Sequence, residues 1–168
     1  MSYTEIVGLT KNGVFYSIGE TRNSWLGAMA VWEILEKRYL PEFIPEWARL
    51  VGVEDKNYSR FSGTIEDLEA IWDLINDDRV TLGEKIVLYS TFDKALVKVE
   101  NINKLLKAFN EFGGNTTLKE QAEVISEALK EDPNIIAIGW NQTSVNENKW
   151  LKYNFEEDKE HFFIFDNL

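Results

Sequence analysis

Hydrophobic residues recur every three or four positions in four segments of the chain, a spacing that places them on one side of an α-helix. The first helix is predicted from Trp25 to about Leu40, with Ser24 as its cap and Pro41 at its end. The others are predicted over residues 64–75, 101–112 and 117–131. Thr117 and Glu120 form a predicted capping box at the start of the last helix.

The N-terminal segment has the pattern of a β-hairpin. An Asn-Gly pair at positions 12–13 indicates a two-residue type I′ turn, because both residue types tolerate a positive φ. Counting outward from that turn places Leu9 opposite Tyr16 and Val7 opposite Ile18. The four side chains would then share one face of a half-buried sheet.

Three more strands are predicted in the C-terminal third of the chain. Pro133 is followed by the apolar run Ile135–Ile138, which is typical of a buried strand. The segments Lys149–Phe155 and His161–Asp166 are predicted to follow it as strands. The last segment is too apolar for a loose tail, so we expect it to dock into the sheet.

Residues 81–112 support two interpretations. Thr81 and Glu84 have capping-box spacing, which favours one long helix from Leu82 through Phe112. Residues 86–90 and 95–99 are nevertheless rich in β-branched and aromatic side chains. We therefore predict two strands joined by a short turn, and keep the long helix as the alternative.

The order of these elements predicts an α+β fold. Two N-terminal, two central and three C-terminal strands would form a largely antiparallel sheet of about seven strands, packed by four or five amphipathic helices. The 168 residues suit one globular domain, spanning 1–168, with its own hydrophobic core.

The formal net charge of −11 narrows the range of partners. A surface this acidic repels nucleic acid and anionic lipid, so neither direct nucleic-acid binding nor membrane association is expected. A basic protein partner is compatible with it. The chain has no cysteine, which excludes disulfides and thiolate metal sites, and it shows no secretory signal or membrane-spanning run. We therefore expect a cytoplasmic protein.

The densest acidic segment lies on the predicted helix at 64–75 and just after it. We refer to it as the acidic face, and it is our candidate partner-binding surface. It comprises Glu66, Asp67, Glu69, Asp73, Asp77 and Asp78. A solvated helix surface is the simpler interpretation of the same pattern.

The usual catalytic residue sets are missing from the sequence. His161 is the single histidine, and it lies in an apolar run. The segment that begins at Asp55 resembles a calcium loop, but Arg60 stands where that loop requires glycine. We predict no catalytic residues, no metal site and no cofactor.

Two polar clusters are the candidate ligand-binding residues. The first follows the apolar run of the predicted strand at 135–138, where amide and hydroxyl groups would collect at the edge of the sheet. The second lies beside a predicted helix N-terminus, where an arginine and free N–H groups could bind an anion. Together with one aspartate, the residues are Trp140, Asn141, Gln142, Thr143, Ser144, Arg22, Asn23 and Asp93.

Two functional hypotheses follow. The first is a non-catalytic acidic interaction module, such as an inhibitor, an immunity-type protein or an adaptor, and it rests on the charge and the missing catalytic residues. The second is a small-ligand-binding protein or enzyme with its site around residues 140–144. It rests on the density of polar side chains there.

Overall fold

The computed structural model describes residues 3–22, 27–41, 65–92, 95–114, 117–143 and 162–168. These residues form five strands and five α-helices, so the fold is α+β. In chain order the elements are β1 (Tyr3–Thr10), β2 (Phe15–Arg22), α1 (Gly27–Tyr39), α2 (Ile65–Trp72), α3 (Leu82–Ser90), β3 (Ala95–Lys98), α4 (Ile102–Glu111), α5 (Leu118–Glu131), β4 (Ile135–Thr143) and β5 (Phe162–Phe163). Short 3₁₀ turns occupy Asp73–Asn76, Val99–Asn101 and Ile164–Asp166. No helix in these ranges is long and apolar enough to cross a membrane.

The sheet is mixed, with the strand order β2-β1-β4-β3-β5. Neighbouring strands are antiparallel except for β3 and β5, which run parallel. The prediction of about seven largely antiparallel strands is therefore wrong for the part of the chain that the structure describes. The segment predicted as a strand over 161–166 contributes only Phe162 and Phe163, and the chain then enters a 3₁₀ turn. The strand predicted over 149–155 lies outside the described residues.

The register of the N-terminal hairpin differs from the prediction by one residue. Gly13 N–H donates to Thr10 O, and Thr10 N–H donates to Val14 O, so the loop has three residues rather than two. Leu9 consequently pairs with Phe15, and not with Tyr16. Gly13 has a φ of 74°, which is the conformation that closes such a loop. The shift places the buried Phe15 on the same face as Leu9 and leaves Tyr16 exposed.

The segment 86–90, predicted as a strand, is helical. It belongs to α3, and the side chains of Ile86, Val87, Leu88, Tyr89 and Ser90 are all buried. A helix that is buried on every side has the same continuous apolar run as a buried strand, so periodicity cannot distinguish them. The strand predicted over 95–99 is confirmed as β3, and the single long helix from Leu82 to Phe112 is not formed.

Two threonines with the same capping-box pattern behave differently. At the start of α3, Thr81 accepts from Glu84 N–H and the Glu84 carboxylate accepts from Thr81 N–H, so the box is complete. At the start of α5, Thr117 makes no capping hydrogen bond, contrary to the prediction. Its hydroxyl instead contacts Thr21 on β2 and accepts from Gln121 one turn later. A tertiary contact has displaced the local one.

Buried side chains form two clusters. The larger combines strand residues with residues of all five helices, and the smaller consists of the strand residues Val7, Leu9, Phe15, Leu96 and Ala137. The charged residue Glu36 on α1 is buried too and is only 2% exposed. The carboxylate of Glu84 is also buried, and it accepts hydrogen bonds from Arg38 and from the Tyr39 hydroxyl, which is 2.5 Å away. Glu84 thereby joins α1 to α3.

Candidate functional site

The two predicted polar clusters end at the same edge of the sheet. In the backbone pairing, Tyr3 lies between Arg22, the last residue of β2, and Thr143, the last residue of β4. Two strand spacings of roughly 4.8 Å put these two positions about 10 Å apart. The fold therefore brings the backbone of Arg22 and Thr143, one residue from each cluster, close together, which the sequence did not show. Asn23, Asp93 and Ser144 lie outside the described residues.

Trp140 points from β4 towards the helices. Its side chain is 4% exposed, and its indole N–H donates to Gln121 Oε1 on α5 at 3.0 Å. The ring also lies against Phe109 of α4, with 6.0 Å between the ring centroids. Trp140 thus fastens two helices to the central strand, and this gives it a structural role.

A chain of polar groups leads from Trp140 to the edge of the sheet. Gln121 accepts from the indole and donates to Thr117 Oγ1 at 3.2 Å. The Thr117 hydroxyl in turn lies 3.0 Å from that of Thr21, and Thr21 pairs with Thr4 on β1. Buried polar groups are stabilising when each has a partner, and this chain satisfies every group that it links.

Asn141 points to the opposite face of the sheet, as strand alternation predicts. Its side chain is 7% exposed, and its amide donates to Glu5 Oε2 at 3.1 Å. Glu5 pairs directly with Glu20 across β1 and β2, so two carboxylates and an amide form a row. Like charges placed opposite each other destabilise a sheet. Such a row can accept hydrogen bonds from an amine or another cationic group.

Across the described ranges, no three histidine, aspartate or glutamate side chains lie close enough together to hold a metal ion.

The acidic face has a more uneven charge than the sequence suggested. Glu69, Asp73 and Asp78 are exposed, and within the described residues they have no hydrogen bond or ion pair. Asp77 instead binds Arg79, whose Nη2 lies 2.6 Å from Asp77 Oδ2. The side-chain hydrogen bond from Arg79 lowers the pKa of Asp77 to about 2. Asp77 is therefore neutralised by its neighbour, and three of the four acidic side chains that the structure describes on this face remain unpaired.

The backbone shows where the acidic residues at the two ends of this face lie relative to α2. Glu66 and Asp67 lie in the first turn of α2, where a negative charge interacts favourably with the helix dipole. Asp77 and Asp78 follow the 3₁₀ turn at 73–76, beyond the end of the helix.

A second acidic surface was missed by the sequence analysis. Glu120, Glu123, Glu127 and Glu131 of α5 are all exposed. Their spacings of three, four and four residues place them in one stripe along the helix. The same spacing can be read in the sequence, because a helix was predicted over residues 117–131. We refer to these four residues as the α5 stripe.

Comparison with protein-family models, with curated proteins and with solved structures finds no significant match. A functional proposal for this chain is therefore based on its own geometry and charge.

Proposed function

We propose that this protein is an acidic interaction module that binds a basic protein partner and catalyses no reaction, as an inhibitor, an immunity-type protein or an adaptor does. The observation that carries the proposal is the acidic face, where Glu69, Asp73 and Asp78 are exposed and unneutralised within the described residues. Free carboxylates attract a basic surface at long range and speed its association. A cytoplasmic location stays a prediction of the sequence.

The distribution of internal ion pairs supports this proposal. The acidic groups that serve the fold have cationic partners, as Glu84 has Arg38 and Asp77 has Arg79. Glu69, Asp73 and Asp78 of the acidic face have no cationic partner in the described residues, so their carboxylates add little to stability. Their charge is then available to a partner, since isolated surface charges contribute little to folding.

Capture of the partner from a lysate of the native host, at low and at moderate salt, is the first step of the test. The purified partner is then titrated against two charge-reversed variants. One carries Glu69→Lys and Asp73→Lys on the acidic face, and the other carries Glu123→Lys and Glu127→Lys on the α5 stripe. Each double change adds 4 to the net charge of −11, so both variants have a formal charge of −7.

Because the two variants have the same net charge, comparing them distinguishes a contact at the acidic face from attraction by the negative charge of the whole protein. We expect the variant of the acidic face to bind at least tenfold more weakly, and added salt to weaken wild-type binding. Equal losses in both variants would indicate that the overall field dominates. Binding that ignores salt and survives both changes would contradict the proposal.

The alternative proposal is a small-ligand or enzymatic site around residues 140–144. The pairing that places Arg22 and Thr143 on either side of Tyr3 favours it, because it joins two polar clusters at one edge. Trp140→Ala is a poor test, since this side chain is buried and its loss would unfold the protein. Thermal-shift screening of small molecules, repeated on Arg22→Gln and Thr143→Val, tests the edge itself. A ligand that stabilises both variants as strongly as the wild type would place its site elsewhere.

A further inference from the structure

A cavity of about 370 Å³ lies beside the ends of β3 and β5 and the first residues of β4. β3 ends at Lys98, which pairs with Ala137 on β4. β4 begins two residues earlier, at Ile135, so this part of it has no partner on the β3 side among the described residues. The register between β1 and β4 is irregular at this point, because Leu9 pairs with Ala137 and Thr10 with Ile135. Irregular pairing of this kind often occurs beside binding sites.

The lining of the cavity is mostly apolar. Its walls include Val99, Ile135, Ile136, Ala137 and Phe163. A cavity of about 150 Å³ is large enough for a benzene molecule, so this one has room for a ring and a short chain attached to it. The size falls within the roughly 300–1,000 Å³ range of small-molecule sites.

Two charged residues complete the lining, and they differ in exposure. Glu100 is exposed to solvent, whereas Lys98 is half-buried. The Lys98 ammonium lies 4.8 Å from the centroid of the Phe163 ring. Within the described part of the chain it has no hydrogen bond or ion pair. The inner charge of this cavity is therefore a cation held in place by an aromatic ring.

We propose that the cavity binds a small organic carboxylate, with the apolar part of the ligand against Ile135, Ile136 and Val99 and the carboxylate on the Lys98 ammonium. A carboxylate supplies the charge-assisted hydrogen bonds that this ammonium lacks. The net charge of −11 disfavours anions over the surface as a whole. Affinity for an anion therefore has to come from a local site such as this one.

The test compares 3-phenylpropanoate with 3-phenylpropanamide, which has the same apolar body but no charge. Both are titrated into the full chain by calorimetry at low salt. We expect the carboxylate to bind the wild type roughly tenfold more tightly than the amide, because an ammonium–carboxylate hydrogen bond is stronger than a neutral one. Lys98→Gln should remove the difference between the two probes, and Lys98→Arg should keep it.

Lys104 provides a matched control. Its ammonium lies 5.4 Å from the ring centroid of Phe165, so Lys104→Gln removes the same charge and the same kind of contact, away from the cavity. This variant should retain the preference for the carboxylate. Ile136→Trp, which fills the cavity, should abolish binding of both probes while the thermal unfolding transition stays cooperative.

Three results would overturn the proposal. They are equal affinity of the wild type for the acid and the amide, no binding of either probe at millimolar concentration, and a carboxylate preference that survives Lys98→Gln. The first two need no variant, so the proposal can be tested even if a substitution impairs folding.

Discussion

Replacing Trp140 by phenylalanine tests whether the hydrogen bond between β4 and α5 stabilises the fold. The substitution keeps an aromatic ring in the site but removes the indole N–H, which donates to Gln121 Oε1 at 3.0 Å. Both side chains are buried, with exposures of 4% and 8%. Water therefore cannot easily replace the lost donor.

The expected loss of stability has two parts. An unsatisfied buried acceptor costs about 1–3 kcal/mol. The smaller ring also leaves a void, and every 40 Å³ that does not collapse adds about 1 kcal/mol at roughly 24 cal/mol per Å³. We therefore expect Trp140→Phe to lower the free energy of unfolding by about 2–4 kcal/mol.

A double-mutant cycle separates these two parts. Gln121→Met removes the acceptor with little change in shape, and a pair of apolar partners is close to neutral. Starting from Gln121→Met, the further change Trp140→Phe should cost only the void, about 1 kcal/mol. The coupling free energy is the difference between a cost of about 2–4 kcal/mol and a cost of about 1 kcal/mol, so it should be about 1–3 kcal/mol.

Urea unfolding monitored by far-ultraviolet circular dichroism is the suitable assay, because the change removes a fluorophore. The dependence of the unfolding free energy on urea should be the same in all four proteins, which shows that the denatured state is unaltered. Free energies that add within about 0.5 kcal/mol would refute the hydrogen-bond argument. The void would then account for the whole effect.

Three further predictions concern a glycine, a carboxylate and a tyrosine. In urea unfolding, Gly114→Ala should destabilise the protein more than Gly113→Ala. Gly114 and Gly113 both have a positive φ, of 83° and 76°. Only at Gly114 would a new Cβ lie 2.5 Å from Ile34 Cδ1. Burial opposes ionisation of Glu84, but hydrogen bonds from its neighbours outweigh it and lower the pKa. The stability that this provides should be present at neutral pH and lost as the pH falls through that lowered pKa, so acid unfolding of Glu84→Gln should depend less on pH in this range. Burial and a hydrogen bond to a carboxylate raise the pKa of Tyr16 to about 12. Tyr16→Phe should therefore remove a phenol that ionises near pH 12 in an ultraviolet titration.

Each of the three can fail in a distinct way. Equal losses for the two glycine variants would show that the Ile34 side chain moves aside without cost. Parallel acid-unfolding curves for wild type and Glu84→Gln would mean that the buried carboxylate is not preferentially ionised in the folded state. Loss of an ionisation step near pH 10 instead of near pH 12 after Tyr16→Phe would show that Tyr16 ionises with the ordinary tyrosines.

Some local features that depend on residues close together in the chain were predicted from the sequence. The capping box of Thr81 and Glu84 forms as the spacing predicts. The hairpin turn lies at Gly13, and α4 ends before Gly113. Caps and turns are made by residues within a few positions of each other, so their location can be predicted from the chain where no tertiary contact competes.

At the candidate site, strand alternation indicates which face of the sheet a side chain occupies, but not which residues contact it. Strand alternation places Trp140 and Asn141 on opposite faces of the sheet, as their hydrogen bonds to α5 and to Glu5 show. It could not show that Gln121 would bind the indole, or that Arg22 and Thr143 would flank Tyr3. These neighbours lie far apart in the chain, and only the order of the strands brings them together.

The tertiary structure alone decided the remaining features. Residues 86–90 are helical despite their β-forming side chains because all five are buried in the packed helix, and a contact with Thr21 drew Thr117 away from its cap. The pairing of β5 with β3 made the sheet mixed. Local preferences are worth a few tenths of a kcal/mol per residue, whereas burying a large apolar side chain is worth about 1.5–3 kcal/mol. Where the two disagree, packing between distant parts of the chain determines the outcome.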